Sequence, residues 1–419
     1  MAKASDPARV PMLAPFQSRS YRFQWPADLA TSWAFEMETL VLSWYILIET
    51  QSVLLLTLVA SLQYLGTLVA PVFGLIGDRI GHRNTLCVMR ASYIVLAALL
   101  MLLAMTDTLS PVAVFGIAAV AGIVKPSDLQ LRNVLISEMM APSRLLGAIS
   151  LSRITADTAR AAGALAGAGV VAVLGIGWAY LVILGLYAVS CLLSLGIAQR
   201  PVEAMAPGTR RATPWQELRE AASAVWTMPE QMAALSLAFL INLTGYPFIT
   251  GLLPYLARDV YHTDQTGLGY LVAGAASGCI AASLLLSRLG ARMLPARVMI
   301  GASLVWHLMI LLLAHSGFVA SGMAILVVAG LSQGLCIVPM SVLQLRNAPA
   351  ALRGRIMGLR SMAIYGLPLG LLISGSMIDV IGFTATATAF GLVGVGGTLL
   401  ILLHWRDHLW PAHTAANRR

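Results

Sequence analysis

The chain has 419 residues, of which 58% are apolar and only 11% charged, with a mean hydropathy of +0.81. A soluble globular chain carries about 25% charged residues, so a water-facing surface is excluded. The net charge of +9 comes from basic residues scattered singly between apolar stretches, which excludes the gathered basic patch of a nucleic-acid binder. Cys87, Cys191, Cys279 and Cys336 lie inside apolar segments without metal-ligand spacing, so neither disulfides nor a metal is expected.

The segment up to Trp25 holds Pro7, Pro11 and Pro15 but no apolar core ahead of a cleavage site, so no signal peptide is expected. A bilayer core about 30 Å thick takes roughly 20 apolar residues per helix. Such stretches are predicted at 27–49, 53–77, 85–106, 112–136, 147–173 and 177–198, and again at 232–257, 266–287, 296–315, 319–342, 356–378 and 381–404. The pattern predicts an all-α membrane protein of twelve transmembrane helices.

Loops on one side, at 50–52, 107–111, 174–176, 258–265, 316–318 and 379–380, hold only Arg258 among the 27 Lys and Arg. Arg79, Arg83, Arg144, Arg200, Arg288, Arg353 and Arg406 fall on the other side, which the positive-inside rule makes cytoplasmic. An even span count then puts both termini there. The domains predicted are an arm at 1–26, a six-helix bundle at 27–199, a linker at 200–231, a second bundle at 232–404 and a tail at 405–419.

In the linker, Thr213-Pro214-Trp215-Gln216 provides a cap and a proline at the first helical position. Trp215, Leu218, Ala222, Val225 and Trp226 then share one face, as in a helix lying on the membrane surface or packed beneath the bundle. The halves echo each other: Leu131-Arg132-Asn133 ends the fourth span, and Leu345-Arg346-Asn347 follows the tenth. Parallel repeats of this kind occur in transporters.

Between the second and third spans stands Gly74-Leu75-Ile76-Gly77-Asp78-Arg79-Ile80-Gly81-His82-Arg83. Gly74 and Gly77 allow close helix approach, and Gly81 permits a tight reversal. Asp78 and Arg79 place opposite charges at the membrane face. The segment resembles the signature loop of the major facilitator superfamily, with His82 at a usually basic position. The resemblance implies two six-helix bundles and a conformational latch of Gly74, Asp78, Arg79, Gly81 and Arg83, with Glu138 beside them. Glu138–Leu151, Arg160–Gly167 and Leu352–Met357 resemble the enterobactin-exporter-like branch. That implies a bacterial inner-membrane exporter of siderophores or drugs. Ala164 follows Gly163 where many proton-driven exporters have proline.

Charged residues within spans are costly and mark pathways or partners. Glu36 and Glu38 lie in the first span, Lys125, Asp128 and Arg132 in the fourth, and Arg153, Asp157 and Arg160 in the fifth. Helical spacing puts each of the last two sets on one face, and the eight charges sum to zero. Glu36 and Glu38 point apart, and Glu38 is nearer mid-span. Proton coupling is therefore expected at Glu38, Asp128, Asp157 or Glu36. Lys125, Arg132, Arg153 and Arg160 are expected to line the substrate cavity, with Asn242, Tyr246, Gln333 and Tyr365 on the facing wall. The same charges also suit a fixed salt-bridge network.

Asn242, Thr244, Gly245 and Pro247 are expected to interrupt the seventh helix, whereas His307 and His315 are expected to be structural. No nucleotide-binding loop, paired metal motif or nucleophile elbow is present, so neither an enzyme nor a cofactor is expected. The function expected is proton-antiport efflux of a small polar or amphipathic molecule by a monomer in the lipid bilayer. An importer of a metabolite or iron chelate is the alternative on the same fold, and a lipid-handling protein or scaffold the alternative in another class.

Overall fold

The computed structural model describes residues 14–67, 69–140, 142–199, 219, 223, 225–289, 293–347 and 353–410. Among these residues the chain is helical without strands. Eight helices are long and apolar enough to cross a membrane. One of these, Gly358–His404, covers two predicted spans joined at Gly382, whose φ of 79° makes the reversal. The first, second and seventh predicted spans are charged or broken, so the count is consistent with twelve crossings.

The apolar surface shows what the solvent is. On the helix His82–Met105 (α4), Val88, Val95 and Leu102 recur every seven residues at 64%, 65% and 57% exposure. Such a stripe is stable only against lipid.

The first helix, Arg19–Thr50 (α1), begins eight residues before the predicted span and carries Pro26 inside its early turns. The second span departs from the expectation of one helix. Val53–Leu62 (α2) is capped by Ser52, which accepts from the Leu55 amide, and a second helix, Ala70–Ile80 (α3), starts after a turn. Pro71 explains the restart, since it lacks an amide and suits the first helical turn. Between the two pieces Gly66 lies against the backbone of Gly122 and Ile123.

Pro111–Met139 (α5), Pro142–Leu174 (α6) and Ile176–Leu195 (α7) complete the amino-terminal bundle. Glycine sets how closely α6 approaches α1: a Cβ on Gly163 would lie 3.1 Å from the Trp33 carbonyl oxygen. Met37, Leu86, Tyr93, Tyr180 and Tyr187 occupy the core of this bundle.

The carboxy-terminal bundle starts with Pro229–Thr244 (α8), which stops at Gly245 as expected. The chain continues through a short helix at Tyr246–Ile249 and a π turn at Leu256–Val260. Gln265–Leu289 (α9), Pro295–Ala314 (α10), Val319–Asn347 (α11), Arg353–Met362 (α12) and Gly366–His404 (α13) follow. Gly330 of α11 lies against the backbone of Ala275 of α9, the close crossing that small residues permit.

The bundles meet at the end away from the chain termini. Leu40, Trp44, Val53, Ala164 and Ala168 of the first bundle join the second bundle's core. Among the described residues, two hydrogen bonds join the bundles: Arg258 Nη1 donates to the Leu47 carbonyl at 2.5 Å and Ser61 Oγ to the Pro368 carbonyl at 3.4 Å. Gly375 faces Thr57 in the same seam.

The 1–26 arm and 405–419 tail are described only in part, and Thr213 to Gln216 lie outside the described residues. Of the linker's apolar face, Val225 is buried against Ile356 while Trp226 is 77% exposed.

Candidate functional site: a charged seam through the amino-terminal bundle

α1 sends carboxylates in three directions. Glu38, 3% exposed, faces α5 and α7. Lys125 Nζ lies 2.7 Å from Glu38 Oε2, and the Tyr187 hydroxyl donates to the same oxygen at 2.8 Å. Lys125 also lies 4.8 Å from the Phe35 ring centroid, so the ammonium is held by charge and by a π face.

One end of α1 carries Asp28, which sequence reasoning passed over together with Arg90. Arg90 is fully buried and pairs with Asp28, and its Nη1 donates to Ser194 Oγ at 2.5 Å. Its Nε lies 3.8 Å from Asp128. Arg132 pairs with Asp128 on its own helix, lies 3.6 Å from Asp28 and donates to Ser32 Oγ at 3.1 Å. Two arginines and two aspartates cancel, which is how buried charge is tolerated. Arg90 was visible inside the predicted third span, so the rule that flagged its neighbours applied to it as well.

Glu36 points toward α6. Arg160 Nε is 3.7 Å from Glu36 Oε1, and these side chains are 33% and 30% exposed. One helical turn away, Arg153 pairs with Asp157 at 3.4 Å, with side chains 48% and 4% exposed. The eight charges therefore divide. Glu38, Lys125, Asp128 and Arg132 are locked within the bundle, while Glu36, Arg153 and Arg160 are partly exposed and Asp157 is buried beside Arg153. Arg160 stands one helical turn before Ala164, which packs into the second bundle's core.

The facing wall is built around the break after α8. Tyr246 packs edge-on to Trp306 at 5.1 Å, and Gln333 accepts from Cys279 Sγ at 3.1 Å. Asn242 is turned inward to its own helix and donates to the Ala238 carbonyl at 2.8 Å. Tyr365 closes the 3-10 turn Ala363–Tyr365. His307 is fully buried with Nε2 2.8 Å from Thr244 Oγ1, so it ties the ninth predicted span to the end of α8. Arg360, in the predicted eleventh span, was also passed over; it donates to Ser341 Oγ at 2.5 Å.

The signature loop reverses at Gly81, with φ 91°, and Arg79 is exposed beside it. The side chains of Gly74's neighbour Leu75 and of Asp78 lie outside the described set. Arg83 Nη2 donates to the Leu195 carbonyl at 2.5 Å, closing the end of α7. Glu138 Oε1 lies 2.6 Å from His82 Nδ1. Both contacts are inside the amino-terminal bundle. The sequence echo between halves does not extend to pairing: Arg132 is buried among carboxylates, and Arg346 is exposed.

A lipid-facing helical protein whose two bundles pack at one end, with buried charges inside the first, has the architecture of a membrane transporter. The sequence profile of the Major Facilitator Superfamily matches residues 29–367 and 235–419. A POT family transporter in complex with 5-aminolevulinic acid is similar over 93% of this chain and 96% of its own, at 13% identity and a TM-score of 0.71. The nucleoside transporter NupG is similar over 92% and 99%, at 14% identity and 0.68. The human organic anion transporter MFSD10 is similar over 91% and 99%, at 15% identity and 0.64. A search of curated proteins gives no match. The chain belongs to the Major Facilitator Superfamily. It is a multi-pass membrane transporter of a small-molecule substrate, not an enzyme.

Proposed function

We propose that the chain is a proton-coupled secondary transporter that exports a small polar or amphipathic molecule by alternating access, working as a monomer. The observation that carries this reading is two ion pairs on α1 and α6 that each include a partly exposed side chain: Arg160 with Glu36, and Arg153 with the buried Asp157. A carboxylate that holds a cation in a cavity exchanges that partner for a proton, and the freed cation is then available to cargo. Coupling is assigned to Glu36, which has that access, and to Asp157, which is buried but paired with the half-exposed Arg153. The Glu38–Lys125 and Asp128–Arg132 pairs hold the bundle together around them.

Resemblance of the segments after the fourth span, in the fifth and before the eleventh favours export, with a siderophore or drug as cargo. Placement of the basic residues favours an orientation in a bacterial inner membrane with both termini in the cytoplasm. The seam between bundles at the opposite end then makes this an inward-open state. Residues 200–231 are the linker between bundles at 27–199 and 232–404, and the loop from Gly74 to Arg83, with Glu138, is the latch.

Metabolite profiling of a deletion strain tests direction. A compound that accumulates inside supports export, lost uptake supports the importer alternative, and no change in either compartment sinks small-molecule transport. Proteoliposomes test the coupling. Asp157→Asn and Glu36→Gln are expected to abolish pH-gradient-driven flux while leaving exchange, and full proton-driven flux in both variants overturns the assignment.

A further inference from the structure

A cavity lies between α1, α5 and α6, toward the end of the first bundle that bears the chain terminus. α1 contributes Asp28 and Ser32 to its wall, α5 contributes Arg132 and Asn133, and α6 contributes Ser152 and Thr155. Leu129, which also lines it, is 59% exposed, and Asn133 is exposed as well. The cavity therefore opens along α5.

The polar wall is held in a fixed arrangement. Arg132, 6% exposed, is paired with Asp128, lies 3.6 Å from Asp28 and donates through Nη1 to Ser32 Oγ at 3.1 Å. The Ser32 hydroxyl accepts this bond, so its own hydrogen turns elsewhere. Across the cavity Trp25 Nε1 donates to Thr155 Oγ1 at 3.0 Å, and Thr155 donates to the Leu151 carbonyl at 2.8 Å. This fixes the Trp25 indole as an apolar part of the lining. Asn133 adds an amide that both donates and accepts.

The charges in and behind the wall cancel: Arg90 and Arg132 stand against Asp28 and Asp128. An ion entering the cavity would add an unbalanced charge beside buried groups, which is expensive. A hydroxyl or amide is tolerated there once it is hydrogen-bonded. The wall thus offers donors and acceptors in a neutral setting beside an aromatic surface, the mixture that orients a small polar ligand.

We propose that this cavity is a binding site for an uncharged hydroxyl- or amide-bearing group, oriented by Ser32 and Asn133 and packed against Trp25. That the group belongs to the cargo rests on the transport reading above. Arg132 acts here as a positioning residue, because it sets the direction of the Ser32 hydroxyl and keeps the cluster behind the wall neutral. Losing either sign from that cluster changes which ligands the cavity admits.

The test uses the full chain in phosphatidylcholine nanodiscs, with a reporter thiol in the wall at Asn133→Cys or, on the opposite helix, Ser152→Cys. The probes are methanethiosulfonates bearing a hydroxyethyl, a sulfonatoethyl or a trimethylammonioethyl group. Modification at the reporter is read by peptide mass spectrometry, in about 0.5 M salt to screen exposed arginines. Each rate is divided by that reagent's rate with free 2-mercaptoethanol. The neutral hydroxyethyl reagent is expected to lead both charged ones by at least about tenfold at each reporter. Adding Arg132→Gln is expected to shift the preference to the cation, and Asp28→Asn to the anion. If neither charge variant folds, the two reporters in the native cluster still decide the matter. The proposal is overturned if the neutral reagent does not lead, if folded charge variants leave the preference unchanged, or if both reporters resist all the probes. Reaction with N-phenylmaleimide alone places the cavity against lipid and overturns it too. Failure of the transport reading is separate: proteoliposomes that move no cargo under a pH gradient sink that reading and leave the selectivity of the cavity standing.

Discussion

Arg90 and Asp28 form an ion pair between the third and first predicted spans, with the arginine wholly enclosed. Because Asp128 and Arg132 share the cluster, removing one member leaves an unbalanced charge among buried groups. Arg90→Met is expected to cost about 3–5 kcal/mol, seen as a lower thermal unfolding midpoint in detergent. Arg160→Met, whose pair with Glu36 has side chains 33% and 30% exposed, is expected to cost about 1 kcal/mol or less. Equal losses from the two variants would show that the cluster is not the stabilising element described here.

Tyr187→Phe keeps the ring that packs 5.8 Å from Phe35 and removes only the hydrogen bond to Glu38. A hydrogen bond to an ionised group contributes about 1.5–3 kcal/mol. A loss in that range is expected, and a double-mutant cycle with Glu38→Gln should show most of it as coupling between the two residues. An additive cycle would contradict the geometry.

Gly330 and Gly301 both lie in helices of the second bundle but differ in surroundings. A Cβ at Gly330 meets the Ala275 backbone, and one at Gly301 meets nothing within 4 Å. Gly330→Ala is expected to lower yield and stability, whereas Gly301→Ala is expected to be neutral or to stabilise by up to about 1 kcal/mol through helix propensity. Size-exclusion profiles and unfolding midpoints of the two variants decide it.

The seam away from the termini should open when Arg258 is truncated, because Arg258→Ala loses the bond to the Leu47 carbonyl. Thr57 is fully buried there opposite Gly375. A Thr57→Cys substitution, with the native cysteines replaced, is expected to react with a maleimide faster in the Arg258→Ala background. An unchanged rate would mean that the apolar part of the seam alone keeps it shut.

Glu36 and Glu38 illustrate how far the sequence could be read. Their two-residue spacing fixed that they point apart, and the intramembrane location marked both as costly. It did not say which neighbour each would meet. Mid-span position favoured Glu38, yet Lys125 and Tyr187 enclose it, while Glu36 retains exposure beside Arg160. Asp28 is the second residue of its predicted span, where a charge reads as interfacial, and α1 in fact runs on to Arg19. Arg360 lies in the predicted eleventh span, and only the structure shows the Ser341 hydroxyl that holds it.

By itself the sequence determined the solvent and the helical plan of this protein. Apolar length, glycine at the crossings and the placement of arginine act within one segment, and 3.6-residue periodicity carries them without reference to the rest of the chain. The tertiary structure decided how the charges sort. Whether a carboxylate is locked, as Glu38 is by Lys125, or reachable, as Glu36 is beside Arg160, depends on helices brought together from 87 and 124 residues away. Burial and partner distance set the cost of each charge, and neither is a property of the segment that carries it.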